Sequence, residues 1–502
     1  MNGQYCIFML TSILENKTQD SVGVKLIDGE SYSYQKLINL VDEMASKLSS
    51  HGVKSEMVVN IVIENSIEFL ISFLSVTRCG AIVAPLNPTY TASEFKFYIK
   101  DANSTYLIVK DQDNPSVAAA QNANVNVITV GISKTGLKLM GLKGELTHTR
   151  DPETVTDDAV ALFLHTSGTT SKPKGVPLTH RNLLASLNNI VNTYDLSESD
   201  TSIVVMPLFH VHGLIGVALS TLASGGCLVV PPRFSASTFW KTQVDTKATW
   251  YSAVPTIHKI LLDRADSDQA PHESFRFIRS CSSPLSKEVL LGVENRFGSP
   301  VLEAYGMTEA AHQMSSNRLP PFKRLPGSVG TPTGVEISVR DEQGMELSYS
   351  KLGEVCVKGP NVMGGYVNNL SANKSGFWGD WFRTGDQGFI SEDKNLTLTG
   401  RLKELINRGG EKISPVEVDQ VILSHFAVSE AISFPLSDAK YGESVNAAVV
   451  LSEPASESSI IEFCADKLAS FKVPGRIFVL DELPKSATGK IQRRSVAEMF
   501  KE

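Results

Sequence analysis

A run of serine, threonine and glycine with two lysines, at residues 165–175, carries the most distinctive chemistry in this sequence. It reads HTSGTTSKPKG and offers backbone N–H groups, several hydroxyls and two ammonium groups, a set of donors that suits a polyphosphate. We predict that this loop binds a nucleoside triphosphate. The residue five positions after Gly168 is Pro173, so the spacing is not that of a Walker A loop. The alternative is a flexible surface loop rich in turn residues.

Two carboxylates later in the chain stand beside groups that could complete a nucleotide site. Tyr305 and Glu309 follow a predicted strand, where the ring could stack on a purine and the carboxylate could hold Mg²⁺ between phosphate oxygens. Asp386 ends the sequence WFRTGD, which predicts a tight turn from which the carboxylate accepts both hydroxyls of a ribose. Taken singly, Tyr305 could be a core residue, Glu309 could serve a helix dipole, and Asp386 could form an Asx turn.

Two cations add to these groups. Arg401 is a second candidate for a sugar or phosphate contact, and Lys490 follows Gly489 on a predicted mobile loop near the end of the chain. A point charge delivered by such a loop could neutralise charge that develops on a phosphorus centre. The alternative for Lys490 is an ordinary solvated lysine.

The elements that must position these residues alternate between helix and strand from about residue 34 onward. The apolar, β-branched runs are 58–63, 81–84, 106–109, 159–164, 202–206, 227–230, 249–253, 275–279 and 301–305. Helical stretches between them are typical of βα units and predict a parallel sheet with helices on its faces. The run at 165–175 is predicted to join a strand to a helix. Ligands bind beyond the carboxyl ends of such strands, where these motifs lie.

The pattern of apolar runs in the sequence changes after about residue 325. Short runs punctuated by glycine, at 335–340, 354–358 and 396–399, predict a small antiparallel subdomain. The predicted fold class is α/β, with a large N-terminal domain of parallel-sheet βα layers, a small β-barrel-like subdomain and a small mobile α+β C-terminal domain. The predicted bounds are 1–400, with the β-rich subdomain at about 326–400, then a hinge at 401–403, and 404–502.

Composition excludes some partners and compartments. A net charge of −7 gives no argument for nucleic acid or for an anionic membrane surface. Six cysteines are scattered without a CxxC pair, which favours a reducing compartment and no structural zinc. The longest apolar region is interrupted by Glu68 and Arg78, so no membrane span is predicted. The chain ends FKE instead of with an SKL-type peroxisomal signal, and we expect a cytoplasmic protein.

Together these motifs resemble the adenylate-forming superfamily of acyl-CoA synthetases, and the resemblance covers essentially the whole chain. Residues 165–175 resemble its phosphate loop, 305–309 its YGxTE box, 381–386 its WxxTGD box and 400–404 its hinge. Residues 484–490 resemble its PKTxxGK loop, with Ser486 in place of the threonine. The resemblance implies that a carboxylate attacks the α-phosphate of ATP to give an acyl-adenylate, and that the thiol of CoA then displaces AMP. Peroxisomal residence is a second possibility that the resemblance implies.

The resemblance also implies roles for individual residues. ATP or AMP contacts fall to Thr166, Ser167, Gly168, Thr169, Thr170, Lys172, Lys174, Glu303, Ala304, Tyr305, Gly306, Met307, Asp386 and Arg401. The residues assigned to catalysis are Lys490, His210, Thr308 and Glu309, with Glu309 holding Mg²⁺. Rotation about the hinge would place Lys403 near the pivot, with Gly409, Gly410 and Lys412 facing CoA in the second step.

The acid is predicted from the residues that match the superfamily's acyl pocket, at 207–212, at 279–284 and after Glu309. Where ligases of fatty and aromatic acids commonly have glycine and alanine, this chain has Cys281, Ser282 and Ser283, and hydroxyls match a hydrocarbon tail poorly. A helical turn after Glu309 would bring His312 toward His210, and the two imidazoles with the Ser282 hydroxyl would clamp a second carboxylate. The stretches MTEAAHQMSSN and INRGGEKISP resemble the oxalate–CoA ligase branch of plants and fungi.

Several alternatives stay open from the sequence. His210 could gate the pocket for every substrate while His312 is an ordinary helix residue, and the acid would then be a short or medium-chain fatty acid or a 4-coumarate-like acid. His210 and His212 could also be a pair of metal ligands, but no further cluster of ligands accompanies them in the sequence. A nucleotide-binding scaffold that no longer catalyses is disfavoured by the presence of both Glu309 and Lys490. The expected partners are therefore a small carboxylic acid, ATP and CoA, and the sequence gives no oligomeric state.

Overall fold

A nine-stranded sheet forms one half of the large N-terminal part of the molecule. The structure is a computed structural model and describes residues 9–15, 17–134, 136–141, 144–166, 173–268, 270–272, 275–486 and 489–501. In spatial order its strands are Thr331–Pro332, His312–Ser316, Val301–Met307, Phe277–Ser280, Trp250–Ala253, Thr201–Ile203, Cys227–Val230, Val22–Leu26 and Ser31–Ser33. The six strands from Val301–Met307 to Val22–Leu26 run parallel, whereas the outer strands pair antiparallel.

A second, eight-stranded sheet accompanies the first, where the sequence indicated one parallel sheet. Its strands in spatial order are Lys174–Thr179, Val160–Thr166, Ile82–Pro85, Val58–Val62, Tyr106–Val109, Asn126–Ser133, Gly136–Gly141 and Gly144–Glu145. Five of them, from Val160–Thr166 to Asn126–Ser133, run parallel. Leu228 of the first sheet and Val83 of the second belong to one apolar core. Helix Ile67–Arg78 packs in that core with residues 67–77 buried.

The helices of this part are Tyr34–Ser50, Ile67–Arg78, Ala92–Asp101, Pro115–Asn122, His180–Thr193, Val211–Gly213, Ser220–Ser224, Ala236–Thr246, Pro255–Asp263 and Lys287–Phe297, with a π-helical segment at Leu214–Leu219 and 3-10 helices at Leu10–Leu14 and Thr308–Ala310. Helix Tyr34–Ser50 shows how the sequence forms them. Its Ser33 hydroxyl accepts the N–H of Lys36 as an N-cap, and its buried apolar residues recur every three or four positions. Within the described residues, no helix combines the length and apolar character that crossing a bilayer requires.

The loop at 165–175 joins two strands, so the predicted connection from strand to helix was wrong. Strand Val160–Thr166 pairs antiparallel with Lys174–Thr179, and helix His180–Thr193 begins only after that second strand. Pro177 lies within the second strand, which is an edge strand of its sheet, the position where a strand tolerates proline. Because proline and glycine interrupt the apolar pattern in this segment, periodicity did not predict the strand.

A five-stranded antiparallel sheet follows, as the sequence predicted for a small β-rich subdomain. Its strands are Glu336–Arg340, Gly353–Lys358, Phe377–Trp378, Trp381–Ile390 and Leu396–Arg401, and helix Leu370–Gly376 precedes the third of them. Asp386 lies inside strand Trp381–Ile390, after Gly385 at a φ of +73°. The predicted tight turn at Asp386 was therefore wrong.

The last sheet begins at Ile406, directly after the 3-10 helix Leu402–Glu404. Its strands are Ile406–Arg408, Glu411–Ile413, Val428–Asp438, Gly442–Leu451 and Arg476–Val479. Its helices are Pro415–Leu423, Glu457–Ala465 and Arg493–Met499, with a 3-10 helix at Ser470–Lys472. This sheet has an apolar core of its own around Ile406, Val418 and Ala447, which fits the predicted α+β unit. The domain bounds and the hinge at 401–403 stay predictions.

Candidate active site

Asp386 lies at the meeting point of three segments that are distant in sequence. The Tyr305 hydroxyl donates to Oδ2 of Asp386, and Nε of Arg401 lies 2.8 Å from Oδ1. Burial raises the pKa of Asp386 above its ordinary value, while the Arg401 guanidinium opposes that rise. Strand Val301–Met307 supplies Tyr305 together with Ala304, Gly306 and Met307. The three predicted nucleotide contacts Tyr305, Asp386 and Arg401 are thus brought together.

Glu309 has a carboxylate that suits a divalent cation. It lies in the 3-10 helix Thr308–Ala310 and is buried, and its Oε1 accepts a hydrogen bond of 2.8 Å from the Tyr366 hydroxyl. Within the described part of the chain, no hydrogen bond reaches Oε2, which leaves that oxygen for a ligand. Mg²⁺ in nucleotide sites binds one or two carboxylates plus phosphate oxygens, so a single free carboxylate oxygen fits this ion. Thr308 is half-buried next to Glu309.

Lysine and arginine side chains surround these two carboxylates. The ammonium of Lys174 lies 4.6 Å from the ring centroid of Tyr366. Burial lowers the pKa of Lys174, the charge of Lys403 lowers it further, and Glu309 opposes both. Such an excess of positive charge is the environment that a polyphosphate requires. Thr166 ends strand Val160–Thr166 opposite Lys174, whereas Ser167, Gly168, Thr169, Thr170 and Lys172 lie outside the described residues.

Lys490 reaches this region from the C-terminal sheet. The carbonyl of the preceding Gly489 accepts a hydrogen bond of 3.5 Å from Oγ1 of Thr256, so this segment contacts the larger part of the molecule. The Lys490 side chain keeps solvent exposure, but surrounding protein atoms lower its pKa, and Arg401 adds to that effect, while Glu404 and Asp386 oppose it. Burial and the charge of Lys490 together lower the pKa of His210 to about 4. Lys490, Asp386 and His210 therefore share one electrostatic environment.

The predicted acid clamp is assembled differently from the expectation. The ring of His212, and not that of His210, contacts Ser282, with Nδ1 3.0 Å from the serine oxygen. His210 caps the helix Val211–Gly213, where its Nδ1 accepts the backbone N–H of His212 at 3.2 Å. The rings of His212 and His312 stack with centroids 5.2 Å apart. Ser283 follows Ser282 and is half-buried.

His312 lies on a strand, so the predicted helical turn between Glu309 and His312 was wrong. The 3-10 helix stops at Ala310, Ala311 and His312 have φ angles of 46° and 95°, and strand His312–Ser316 begins there. The strand folds back antiparallel on Val301–Met307 and carries the imidazole into the core. Periodicity cannot reveal such a reversal, because left-handed backbone at non-glycine residues has no strong sequence signature.

Arg279 lies in the stretch 279–284 that was matched to the acyl pocket, but the sequence reasoning gave it no role of its own. It lies in the buried strand Phe277–Ser280, is itself fully buried, and donates to Nε2 of His312 at 2.9 Å and to the Ser252 hydroxyl at 3.0 Å. The Ser252 oxygen lies 2.7 Å from Nε2 of His212. An arginine inside an apolar strand run was the available signal, since buried arginines need specific partners.

Several predicted residues lie elsewhere. Gly409, Gly410 and Lys412 are exposed on the hairpin formed by strands Ile406–Arg408 and Glu411–Ile413, and their predicted role toward CoA stays a prediction. The Glu303 carboxylate accepts the backbone N–H of Gly327 at 3.0 Å, and burial raises its pKa to about 8. Its predicted contact with the nucleotide also stays a prediction.

Comparison with known families and proteins agrees with this geometry. Residues 15–367 match the family described as AMP-binding enzyme, and residues 417–490 match the AMP-binding enzyme C-terminal domain. A probable CoA ligase, CCL9, from Humulus lupulus is 48% identical over 95% of this chain and 93% of that protein.

An oxalate–CoA ligase from Arabidopsis thaliana is 47% identical over 98% of this chain and 99% of that protein. Among solved structures, ATP-bound MatB from Rhodopseudomonas palustris superimposes with a TM-score of 0.89 at 28% identity, over 98% of this chain and 99% of that one. The likeness to both proteins therefore spans the large part of the molecule and the C-terminal sheet.

Proposed function

Because this chain belongs to the family of AMP-binding enzymes, we propose that it is an ATP-dependent acid–CoA ligase and that its acid is oxalate. In the first step a carboxylate oxygen forms a bond to the α-phosphorus of ATP, and the bond from that phosphorus to the bridging oxygen breaks, which releases pyrophosphate. In the second step the CoA thiolate attacks the acyl carbon and AMP leaves with the electron pair. The thiol proton passes to solvent.

The residues around Asp386 and Glu309 suit the first step. Asp386 would accept the ribose hydroxyls, Glu309 would hold Mg²⁺ through its free oxygen, and Lys174 would face the phosphates. Mg²⁺, when bound, would neutralise charge on the phosphate oxygens. Lys490 would stabilise the charge that builds up at the α-phosphorus, since a fixed cation in a crowded site interacts strongly with such charge.

The observation that supports oxalate is the polar lining of the acid pocket. Ser282, His212 and His312 lie together over a buried arginine, and an alkyl or aromatic chain against them would offer no hydrogen bonds to the polar atoms that face it. A second carboxylate would offer such hydrogen bonds. The resemblance to the Arabidopsis oxalate–CoA ligase agrees with this argument.

The second step requires a change in the C-terminal sheet. Lys490 lies at the site while Gly409, Gly410 and Lys412 are exposed, an arrangement suited to adenylate formation. We propose that rotation at residues 401–403 removes Lys490 and brings the glycine hairpin toward CoA. We also propose a cytoplasmic location, since the described cysteines are all unpaired thiols.

The test is a panel of acids with ATP, Mg²⁺ and CoA, followed by pyrophosphate release and by mass spectrometry of the CoA products. We expect oxalate to give the highest kcat/KM and oxalyl-CoA to be the product. Consumption of hexanoate or 4-coumarate with a higher kcat/KM than oxalate would overturn the choice of acid. A folded protein that releases no pyrophosphate with any acid would overturn the ligase itself and favour a nucleotide-binding scaffold.

A further inference from the structure

Arg279 is a fully buried cation whose hydrogen bonds go to neutral groups. Its Nε donates to the Tyr194 hydroxyl at 2.8 Å, and its terminal nitrogens donate to Ser252, His312 and Gln313 at 2.9–3.0 Å. No carboxylate forms an ion pair with it in the described part of the chain. A buried charge without a counter-ion is costly, so its presence beside an acid pocket points to an anionic ligand.

The contact with Arg279 fixes the proton of His312. A guanidinium only donates hydrogen bonds, so Nε2 of His312 must accept, and the neutral ring then carries its proton on Nδ1. Burial and the charge of Arg279 lower the pKa of His312 well below its ordinary value, which keeps the ring neutral. Within the described residues nothing accepts a hydrogen bond from Nδ1. Its N–H is therefore available to a ligand.

A second path leads from Arg279 through Ser252 to His212. Ser252 accepts one N–H of Arg279, and its own proton has a single described acceptor within reach, Nε2 of His212 at 2.7 Å. When the Ser252 hydroxyl donates to Nε2 of His212, the buried hydroxyl has a hydrogen-bond partner. Because Nε2 then accepts, the neutral ring of His212 carries its proton on Nδ1. Nδ1–H then donates to the Ser282 oxygen, which frees the Ser282 hydroxyl proton.

We propose that Arg279 is a positioning residue that sets the tautomers of His212 and His312, so that Ser282 O–H and His312 Nδ1–H both donate to the far carboxylate of a small dicarboxylate. This inference rests on the proposed function and adds the residues that make the pocket selective. A carboxylate is an acceptor only, and a pocket with two outward donors and one buried positive charge matches it. With the opposite tautomers, the Ser282 oxygen and His312 Nδ1 would present lone pairs and repel it.

The test removes the link at Ser252 and leaves the groups that contact the acid in place. Ser252→Ala should release His212 from its Nδ1–H tautomer and raise the KM for oxalate at least tenfold. We expect kcat and the KM for ATP to stay within about threefold, because the nucleotide site is untouched. The matched control is Ser338→Ala, which removes another buried serine hydroxyl, one without a hydrogen-bond partner in the described structure. That variant should leave both KM values unchanged.

The tautomers are read by NMR of protein labelled with ¹⁵N-histidine, recorded without substrate and assigned with His212→Gln and His312→Gln. In the wild type both rings should show Nδ1 protonated, and in Ser252→Ala only His212 should change. A His212 signal that is unchanged by Ser252→Ala, or an oxalate KM within twofold of the wild type, would overturn the proposal. If the wild type does not use oxalate, the proposed function fails, while the NMR measurement still decides the role of Arg279 and Ser252.

Discussion

The ammonium group of Lys490 stands in the same electrostatic environment as Asp386 and His210, although it comes from the far end of the chain. We expect Lys490→Ala to slow ATP–pyrophosphate exchange with oxalate by about 10²- to 10³-fold, since removal of one fixed group that stabilises developing charge has effects of that order. Lys485→Ala is the control, because Lys485 lies a few residues earlier in the chain and pairs with Glu430. Equal loss in the two variants would contradict the assignment.

Glu303 makes the stability of the protein depend on pH. Its pKa in the folded protein is raised to about 8 by burial, so the folded state holds a proton that the unfolded chain loses above its ordinary pKa of 4.5. The contribution is fully present below pH 4.5 and falls by about 1.4 kcal/mol per pH unit as the pH rises to about 8. Glu303→Gln should remove this fall. Urea unfolding at several pH values checks it, and parallel curves for the two proteins would contradict it.

Single residues were predicted from sequence when they belonged to a local motif. Tyr305, Glu309, Asp386, Arg401 and Lys490 were assigned in this way, and the structure brings them into one region. Their individual roles stay predictions. His212 and Arg279 lay in stretches matched to the acyl pocket but received no individual role in binding the acid, because their importance depends on which strand ends lie side by side, and spacing along the chain does not contain that information. The choice between His210 and His212 needed the hydrogen bond to Ser282.

The π-helical segment Leu214–Leu219 holds Gly216 against the ring of His312. A Cβ at Gly216 would lie 2.4 Å from Nε2 of His312, a distance that forces the buried ring to move. Gly216→Ala should therefore lower kcat/KM for oxalate at least tenfold and spare the KM for ATP. Gly131→Ala is the control, since a Cβ there has no neighbour within 4 Å. Unchanged steady-state kinetics for Gly216→Ala would exclude this packing role.

Whole strands were predicted correctly from the sequence where the apolar pattern was continuous. Strands Tyr106–Val109 and Cys227–Val230 have the predicted bounds, while strand Lys174–Thr179 and the strand after Ala311 were missed. The first carries a proline at a sheet edge, and the second starts at a left-handed turn without glycine. In both cases tertiary contacts decided the conformation against local preference.

In the proposed mechanism, the arrangement of the C-terminal sheet selects between the two half-reactions. Lys403 lies in the 3-10 helix Leu402–Glu404, and φ angles of about −60° are usual in such helices and suit proline. Lys403→Pro should lock this arrangement, so ATP–pyrophosphate exchange persists while CoA thioester formation falls at least tenfold. Lys403→Ala removes the same side chain but leaves the backbone free, and we expect thioester formation within about threefold of the wild type. Equal thioester rates in the two variants would argue against the hinge.

At the scale of the molecule, the sequence predicted the α/β class and the small antiparallel sheet, but it indicated one large sheet where there are two. Strand runs look alike in both sheets, because each is buried on two faces. Which strands pair is set by long-range packing, such as the contact of Leu228 and Val83 with a common core. Sheet number is therefore a property that local patterns do not specify.

The partners of Asp386 in the structure have a consequence for the proposed nucleotide site. Tyr305 and Arg401 contact the two Asp386 oxygens, and the ribose hydroxyls would compete for the same oxygens. When AMP dissociates, the buried Asp386 carboxylate therefore keeps its hydrogen-bond and ion-pair partners. We expect the spent nucleotide to dissociate readily, which favours rapid turnover over product inhibition.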